Sequence, residues 1–301
     1  MVMTDSPQPL DPELIEEWWA LYHRLVRDVA YRIGGSVAEA EDVAQDTYVR
    51  LVEHRGTLSN PKAWLTTVAS RAALDRLRAH EHSRRTYVGP WLPEPLVVDD
   101  ALPVEDRITL DESVRMALLV VLEQLTPEER TAFLLHDVFA LDFAAIAEIV
   151  GTSNEAARQL ASRARRRVSA ARPARFAPDP ATARRLCERF AHACSDGDLD
   201  GLVAVLAPDV AGDFDSGGLI AGAPAGELRG AEPVAAQLLR SLGGPALDFV
   251  VVPVNGEPGV VVRRSGRVVA VISFMFGPDR ITIIHGVGNP EKLRHLNVDR
   301  G

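Results

Sequence analysis

The 301-residue sequence is poor in cysteine, in long apolar runs and in repeated or low-complexity tracts, and each shortage closes a class of explanation. Only Cys187 and Cys194 occur, seven residues apart in a segment of helical periodicity. On one helix that spacing stacks them about 10 Å apart, beyond disulfide reach. Both are expected to be buried core thiols, and no further ligands lie near them for a metal. No apolar run approaches the ~20 residues that a bilayer span requires. The opening MVMTDSPQPLDPE has neither a basic start nor an apolar stretch of signal-peptide length. The expectation is a cytoplasmic protein with no membrane partner. What remains, 47% hydrophobic and 25% charged residues, is the composition of a globular chain long enough for two or three domains.

Charge is present in quantity but unevenly placed. The net charge is −9, and residues 1–53 hold eleven acids against four arginines, a local −7. Residues 152–175 reverse this with seven arginines and one acid, Glu155, a local +6. An acidic chain with so basic a segment is expected to meet different partners with different parts, at least one of them polyanionic.

Helix punctuation dominates the first 175 residues. Ser36 with Glu39 and Thr126 with Glu129 read as capping boxes, and Asn60 before Pro61 as a related cap. They predict helices near 12–33, 37–54, 61–80, 108–125, 127–138, 142–150 and 153–171. A proline-rich, acidic stretch, SRRTYVGPWLPEPLVVDDALPVED, interrupts the series as an extended linker. Beyond a second break the pattern changes. Helices near 180–195 and 199–207 precede strands near 209–215, 247–254, 259–264, 267–276 and 280–287, joined by turns such as Asn255-Gly256 and Ser265-Gly266. The reading is two all-α domains followed by an α+β domain with a curved antiparallel sheet. The expected boundaries are 1–82, a linker 83–107, 108–174, a linker 175–179, 180–293 and a tail 294–301.

Within LDFAAIAEIVGTSNEAARQLASRARRRV, one amphipathic helix carries Phe143, Ile146, Ala147 and Val150. Gly151 permits a sharp turn, and Thr152 with Glu155 suggests the cap of a second helix, which is the layout of a helix-turn-helix. Ala157, Leu160, Ala161, Ala164 and Val168 share one stripe of that second helix. The opposite face offers Asn154, Arg158, Gln159, Ser162, Arg163 and Arg166, chemistry suited to base edges and phosphates in a major groove. A solvated arginine-rich helix is the plainer alternative.

The stretch AEDVAQDTYVRLVEHRGTLSNPKAWLTTVASRAALDRLR resembles the σ2 domain of extracytoplasmic-function sigma factors, the promoter-specificity subunits of bacterial RNA polymerase. LTPEERTAFLLHDVFALDFAAIAEIVGTSNEAARQLASRARRRV resembles their σ4 domain. The resemblance implies that Asp42, Gln45, Asp46 and Tyr48 face the β′ clamp helices of core polymerase, with the β flap a further contact. It implies that Asn60, Lys62, Ser70, Arg71, Asp75, Arg76 and Arg78 meet the −10 element. Asn154, Arg158, Gln159, Ser162, Arg163, Arg165, Arg166 and Arg167 would meet the −35 element. Trp64 is read as core rather than as a stacking platform.

Residues 180–293 resemble a SnoaL-like domain, the cone-shaped fold shared with ketosteroid isomerases and polyketide cyclases, on RFAHACSDGDLDGLVAVLAPDVAGDFDSGG and HGVGNPEKL. A subgroup of sigma factors carries such a fused domain and a linker motif that WLPEP matches. There the extension regulates activity by packing on the rest of the protein, which implies interdomain roles for Trp91, Leu92, Pro93, Asp215, Gly217, Gly218, Asn289 and Pro290. DSGGLI departs from the subgroup's DGGGK, so the contact of that lysine lacks its residue. Asp213, Asp215 and His285 could line the cone, and the cone could admit a small apolar ligand, yet no pair of titratable groups stands out as acid and base. No catalytic residue, metal site or cofactor is expected. A cyclase or isomerase with an appended DNA-binding module, and a polymerase-independent helix-turn-helix regulator, remain the competing readings.

Overall fold

A computed structural model describes residues 8–97, 112–171, 179–220, 222 and 226–297. The helices are α1 (Pro12–Gly34), α2 (Val37–Val52), α3 (Pro61–Arg85), α4 (Met116–Leu122), α5 (Pro127–Asp137), α6 (Phe143–Val150), α7 (Asn154–Ala171), α8 (Pro180–Asp196), α9 (Leu199–Val205) and α10 (Ala231–Leu242). The strands are β1 (Leu206–Asp215), β2 (Leu228–Arg229), β3 (Asp248–Val254), β4 (Glu257–Arg264), β5 (Arg267–Phe276) and β6 (Ile281–Val287). No helix among the described residues is long and apolar enough to cross a membrane.

These elements form two compact units that do not follow the three sequence modules. The first takes residues 8–81 and 125–167, so the σ2-like helices and most of the σ4-like helices share one body. The second takes 82–97 and 112–124 with the C-terminal domain. Much of the expected 83–107 linker and the start of the expected 108–125 helix lie outside the described residues. So do 172–178 and the end of the tail.

In the first unit each helix starts where a side chain satisfies its free amides. Asp11 accepts from Glu13 N at 3.0 Å, Ser36 from Glu39 N at 3.2 Å and Asn60 from Ala63 N at 3.0 Å. Thr126 and Glu129 form the reciprocal capping box. Apolar stripes from α1 (Val26, Val29, Ile33), α2 (Val43, Leu51), α3 (Leu65, Leu74), α5 (Leu134, Leu135) and α6 (Ile146, Val150) are buried. A buried polar joint fastens α5 to α1: Arg130 donates to the carbonyl of Arg32 through Nε at 3.3 Å and Nη2 at 3.1 Å.

In the second unit the six strands run β2-β1-β6-β5-β4-β3. The expected antiparallel sheet is instead mixed, because β1 pairs parallel with β6 while the other neighbours are antiparallel. Four strands separate β1 from β6 in the chain, so their parallel pairing is not a hairpin. Helices α8, α9 and α10 cover one face, where Phe190, Cys187, Cys194, Val234, Leu238, Ile272, Phe274 and Ile284 make the core. Both cysteines are free thiols, and burial pushes each up to about 12. The other face carries Val254, Val261, Val271 and Val287 and buries Leu92 of the linker with Val120 of α4 packed against the cluster. The helix α10 was not foreseen from the sequence.

Candidate functional site

The helix-turn-helix is built as its residues dictate. Asp142 caps α6, and Gly151 ends it at φ 79°, a left-handed conformation that an L side chain rarely adopts. One correction concerns the next cap. Ser153, not Thr152, accepts from Ala156 N at 3.2 Å, and α7 begins at Asn154, so the Thr152–Glu155 box does not form. Ala157, Ala161 and Ala164 are fully buried, as their stripe requires, and Arg158, Gln159 and Arg166 are exposed on the opposite side. With Glu155, Ser162 and Arg163 they line a shallow depression of about 430 Å³.

The five arginines of α7 are not equivalent. Arg158 lies 5.6 Å over the Phe143 ring, and Phe143 in turn stacks on His136. Arg166 donates to Ser162 Oγ at 3.4 Å. Arg163 Nε and Arg167 Nη1 instead grip the two carboxylate oxygens of Glu129 at 3.0 and 2.7 Å, and Glu129 is only 5% exposed. Arg165 is held by Asp137 at 2.7 Å and contacts His136. Asn154 is exposed at the first turn, too early to share the depression.

A similar pattern holds on α2 and α3. Asp42, Gln45 and Asp46 are exposed on α2, and Arg76 of α3 bonds both carboxylates, at 3.0 and 2.7 Å. Tyr48 packs on Trp19 and donates to Glu16 at 2.8 Å, a bond that raises its pKa above the ordinary tyrosine value. Of the remaining −10 candidates, Lys62 is exposed and Asn60 is committed as a cap. Ser70 is a correction: it is fully buried and donates to Thr66 O at 2.7 Å, because its position falls on the packed stripe of α3, so it offers nothing to a strand of DNA. Arg71 binds Glu148 at 2.8 Å, and Arg78 binds Glu128 at 2.8 Å with Asp75 at 3.6 Å. Trp64 is half-buried, edge-on to His54.

In the second unit the residues expected to make interdomain contacts converge on Asp215, which is buried at the end of β1. Its carboxylate accepts from Leu92 N at 2.9 Å, from Gly217 N at 3.2 Å, from the Tyr87 hydroxyl, and from Lys292 Nζ at 2.7 Å. The ammonium also sits 3.5 Å from the Trp91 ring centroid. Asn289 Nδ2 donates to the Tyr87 hydroxyl at 2.8 Å and its backbone N–H to Asp215 O at 3.0 Å. Gly217 lies at φ 64°, and a Cβ there would come within 2.6 Å of the Asn289 amide. Gly218 abuts Val88, Pro93 is buried, and Pro290 is exposed in the turn beyond Asn289. Burial first, and Asp215 second, push the Tyr87 phenol far above its usual range.

Sequence reasoning missed two members of this cluster, Tyr87 and Lys292. Lys292, from NPEKL, brings its ammonium to Asp215 across 77 residues, a contact that only the fold reveals. It also missed Asn255, which looked like a turn former alone. Asn255 is buried, accepts from Leu96 N at 3.1 Å and donates to Val114 O at 2.8 Å, so one hairpin end ties down both the linker and the entry to α4. Asp213 and His285 do not face the helix-covered core. They pair in register with each other and with Ser273 on the opposite face of the sheet, with His285 Nδ1 3.5 Å from Asp213.

The family models for sigma-70 region 2 and sigma-70 region 4 match residues 18–83 and 115–168. The ECF RNA polymerase sigma factor SigJ of Mycobacterium tuberculosis is 44% identical over 293 residues, covering 93% of each chain. The chain belongs to the extracytoplasmic-function sigma factors. A probable ECF sigma factor of the same organism, SigI, is 34% identical over 94% of this chain and 96% of its own. The crystal structure of M. tuberculosis SigJ matches with a TM-score of 0.71 at 35% identity, over 93% of this chain and 98% of that one. This likeness runs through the C-terminal domain, so the SnoaL-like third domain is part of the family likeness. Membership makes RNA polymerase and promoter DNA the partners of this sigma factor.

Proposed function

We propose that this sigma factor grips core polymerase through the α2 face of Asp42, Gln45, Asp46 and Tyr48, directed at the β′ clamp helices, while its σ4-like part approaches the β flap. The acids present acceptors to a basic partner, and Tyr48 next to Trp19 forms an aromatic anchor. Asn60, Lys62, Arg71, Asp75, Arg76 and Arg78 face the opened −10 strand, and α7 enters the major groove of the −35 element. The observation that carries the reading is the exposed row Arg158, Gln159 and Arg166, raised by a buried alanine stripe on a capped turn. Arg can bond guanine bidentately and Gln can bond adenine.

The C-terminal domain acts as a non-catalytic regulator in the cytoplasm. Its lever is the seat of residues 87–97 on Asp215, Lys292 and Asn255, since Asn255 holds both Leu96 and Val114 at the entry to α4. The sheet face that a cone would offer to an apolar ligand is occupied by Phe190, Phe274 and Ile284.

Co-purification with core polymerase and promoter-directed transcription in vitro test the proposal, with Asp46→Arg as the probe of the clamp face. Full-length protein is expected to be retained and active, and Asp46→Arg to lose polymerase retention while keeping its helix content. Undiminished retention of Asp46→Arg would refute the assignment of that face.

A further inference from the structure

The charge count of α7 overstates what it can offer to DNA. Arg163 and Arg167 share one carboxylate, that of Glu129, which is 5% exposed and whose partners are these two guanidinium groups and the Thr126 amide at the start of α5. Pulling either arginine out to a phosphate would leave that buried carboxylate short of countercharge. This costs more than one solvent-screened phosphate contact returns. Arg165 is similarly engaged by Asp137. Arg163 and Arg167 stay about half exposed while held there, whereas Arg158 lies over the Phe143 ring, Arg166 donates to Ser162 Oγ and Gln159 is exposed.

We infer that Glu129 is a positioning and specificity-determining residue: it withdraws Arg163 and Arg167 from the DNA-contacting set and locks α7 at a rotation that presents Arg158, Gln159 and Arg166 to the duplex. The inference rests on the proposed entry of α7 into the −35 groove. Glu129 therefore does two jobs with one carboxylate, closing the capping box of α5 and fixing the rotation of α7. A recognition helix whose arginines were all free would bind any duplex. Holding two of them on one buried carboxylate trades general affinity for selectivity, because phosphate contacts carry no sequence information.

The test uses the full-length protein assembled with core polymerase. Its equilibrium binding is measured between about 50 and 200 mM salt on a duplex recovered by selection from a random −35 library and on a scrambled duplex. Each phosphate contact contributes about −0.9 to the slope of log K against log salt. Arg166→Gln should make that slope shallower by about 0.9, whereas the paired change Arg163→Gln with Arg167→Gln should leave it unchanged. Glu129→Gln keeps an acceptor for the capping box and is expected to fold. It should steepen the slope by up to about 1.8 as two arginines are released, tighten binding to scrambled DNA and reduce the preference for the selected site. A shallower slope, by about 1.8, in the paired arginine variant would overturn the inference while leaving α7 on the DNA. So would a Glu129→Gln protein that binds both duplexes more weakly at unchanged slope, the signature of a merely structural role. If Arg166→Gln and Arg158→Ala also left slope and selectivity untouched, the groove assignment itself would fall, and the inference with it.

Discussion

Removing one charge from the Asp215–Lys292 pair tests how firmly the linker is seated. Asp215 is fully buried at its side chain and Lys292 is 7% exposed, and the ammonium lies 2.7 Å from the carboxylate and 3.5 Å from the Trp91 ring. Breaking a buried pair from one side costs about 3–5 kcal/mol, because the remaining charge is left in a medium that solvates it poorly. Lys292→Met fills most of the volume but strands the carboxylate. Three donors remain on Asp215, from Tyr87, Leu92 and Gly217, so the low end of the range, about 3 kcal/mol, is expected. Asp215→Asn strands the ammonium instead, though Leu92 O still accepts from it, and should cost a similar amount. The double variant strands neither, so it should recover about 2–3 kcal/mol of the summed losses. The assay is denaturant unfolding of the four proteins together with hydrogen exchange at the Leu92 amide, which donates to Asp215. In both single variants that amide should exchange at least tenfold faster than in the parent. Additive losses, with coupling below about 0.5 kcal/mol, or an unchanged Leu92 amide would refute the claim that this pair holds the linker.

Two other outcomes follow from the same kind of reasoning. His295 donates toward Pro95 O at 3.0 Å, and burial, outweighing Glu94, holds its pKa below the usual histidine value near 6.5. The folded state thus favours neutral imidazole, its contribution is complete above pH ~6.5, and it is lost as pH falls toward the lowered folded value. Thermal stability should therefore decline between pH 7 and 5.5 more steeply in the parent than in His295→Gln, and equal slopes would contradict this. Arg78 pairs with Glu128 at the protein surface, 40% and 33% exposed, where such pairs contribute no more than about 1 kcal/mol. If Arg78 is wanted by the opened strand, Glu128→Gln should raise promoter opening in a permanganate footprint, by no more than about fivefold. A decrease would count against a role for Arg78 on DNA.

The sequence carried local structure well and non-local pairing poorly. Caps at Ser36, Asn60, Thr126 and Asp179 stand where their side-chain chemistry placed them. Asn255-Gly256 and Ser265-Gly266 adopt the positive φ that two-residue hairpins demand. The misses have physical reasons. Helix α10 starts at Gly230 with no side-chain cap, so the strongest start signal is missing. The parallel β1–β6 pairing joins segments some 70 residues apart, and no local pattern encodes it. Ser70 fell on the buried stripe of α3, which the polar appearance of the residue concealed. Lys292, Tyr87 and Asn255 became visible only when β1, β6 and the linker met.

The acidic character of the chain acquires a mechanism when its ion pairs are followed. Arg71, Arg76 and Arg78 of α3 are paired with Glu148, with Asp42 and Asp46, and with Glu128, while Arg163, Arg165 and Arg167 of α7 are paired with Glu129 and Asp137. Much of the positive charge that would draw DNA is thus neutralised within the protein itself, which predicts feeble DNA binding by the free sigma factor. Arg76 makes the coupling concrete, because the proposed polymerase-facing carboxylates and a proposed DNA-facing guanidinium are bonded to one another. A partner that takes Asp42 and Asp46 must release Arg76, and DNA that takes Arg76 must release the two acids. Binding free energies are reciprocal, so each event lowers the cost of the other. On the proposed assignments polymerase would contribute more than extra contacts: by engaging α2 it would return to α3 the charge of Arg76 for promoter DNA.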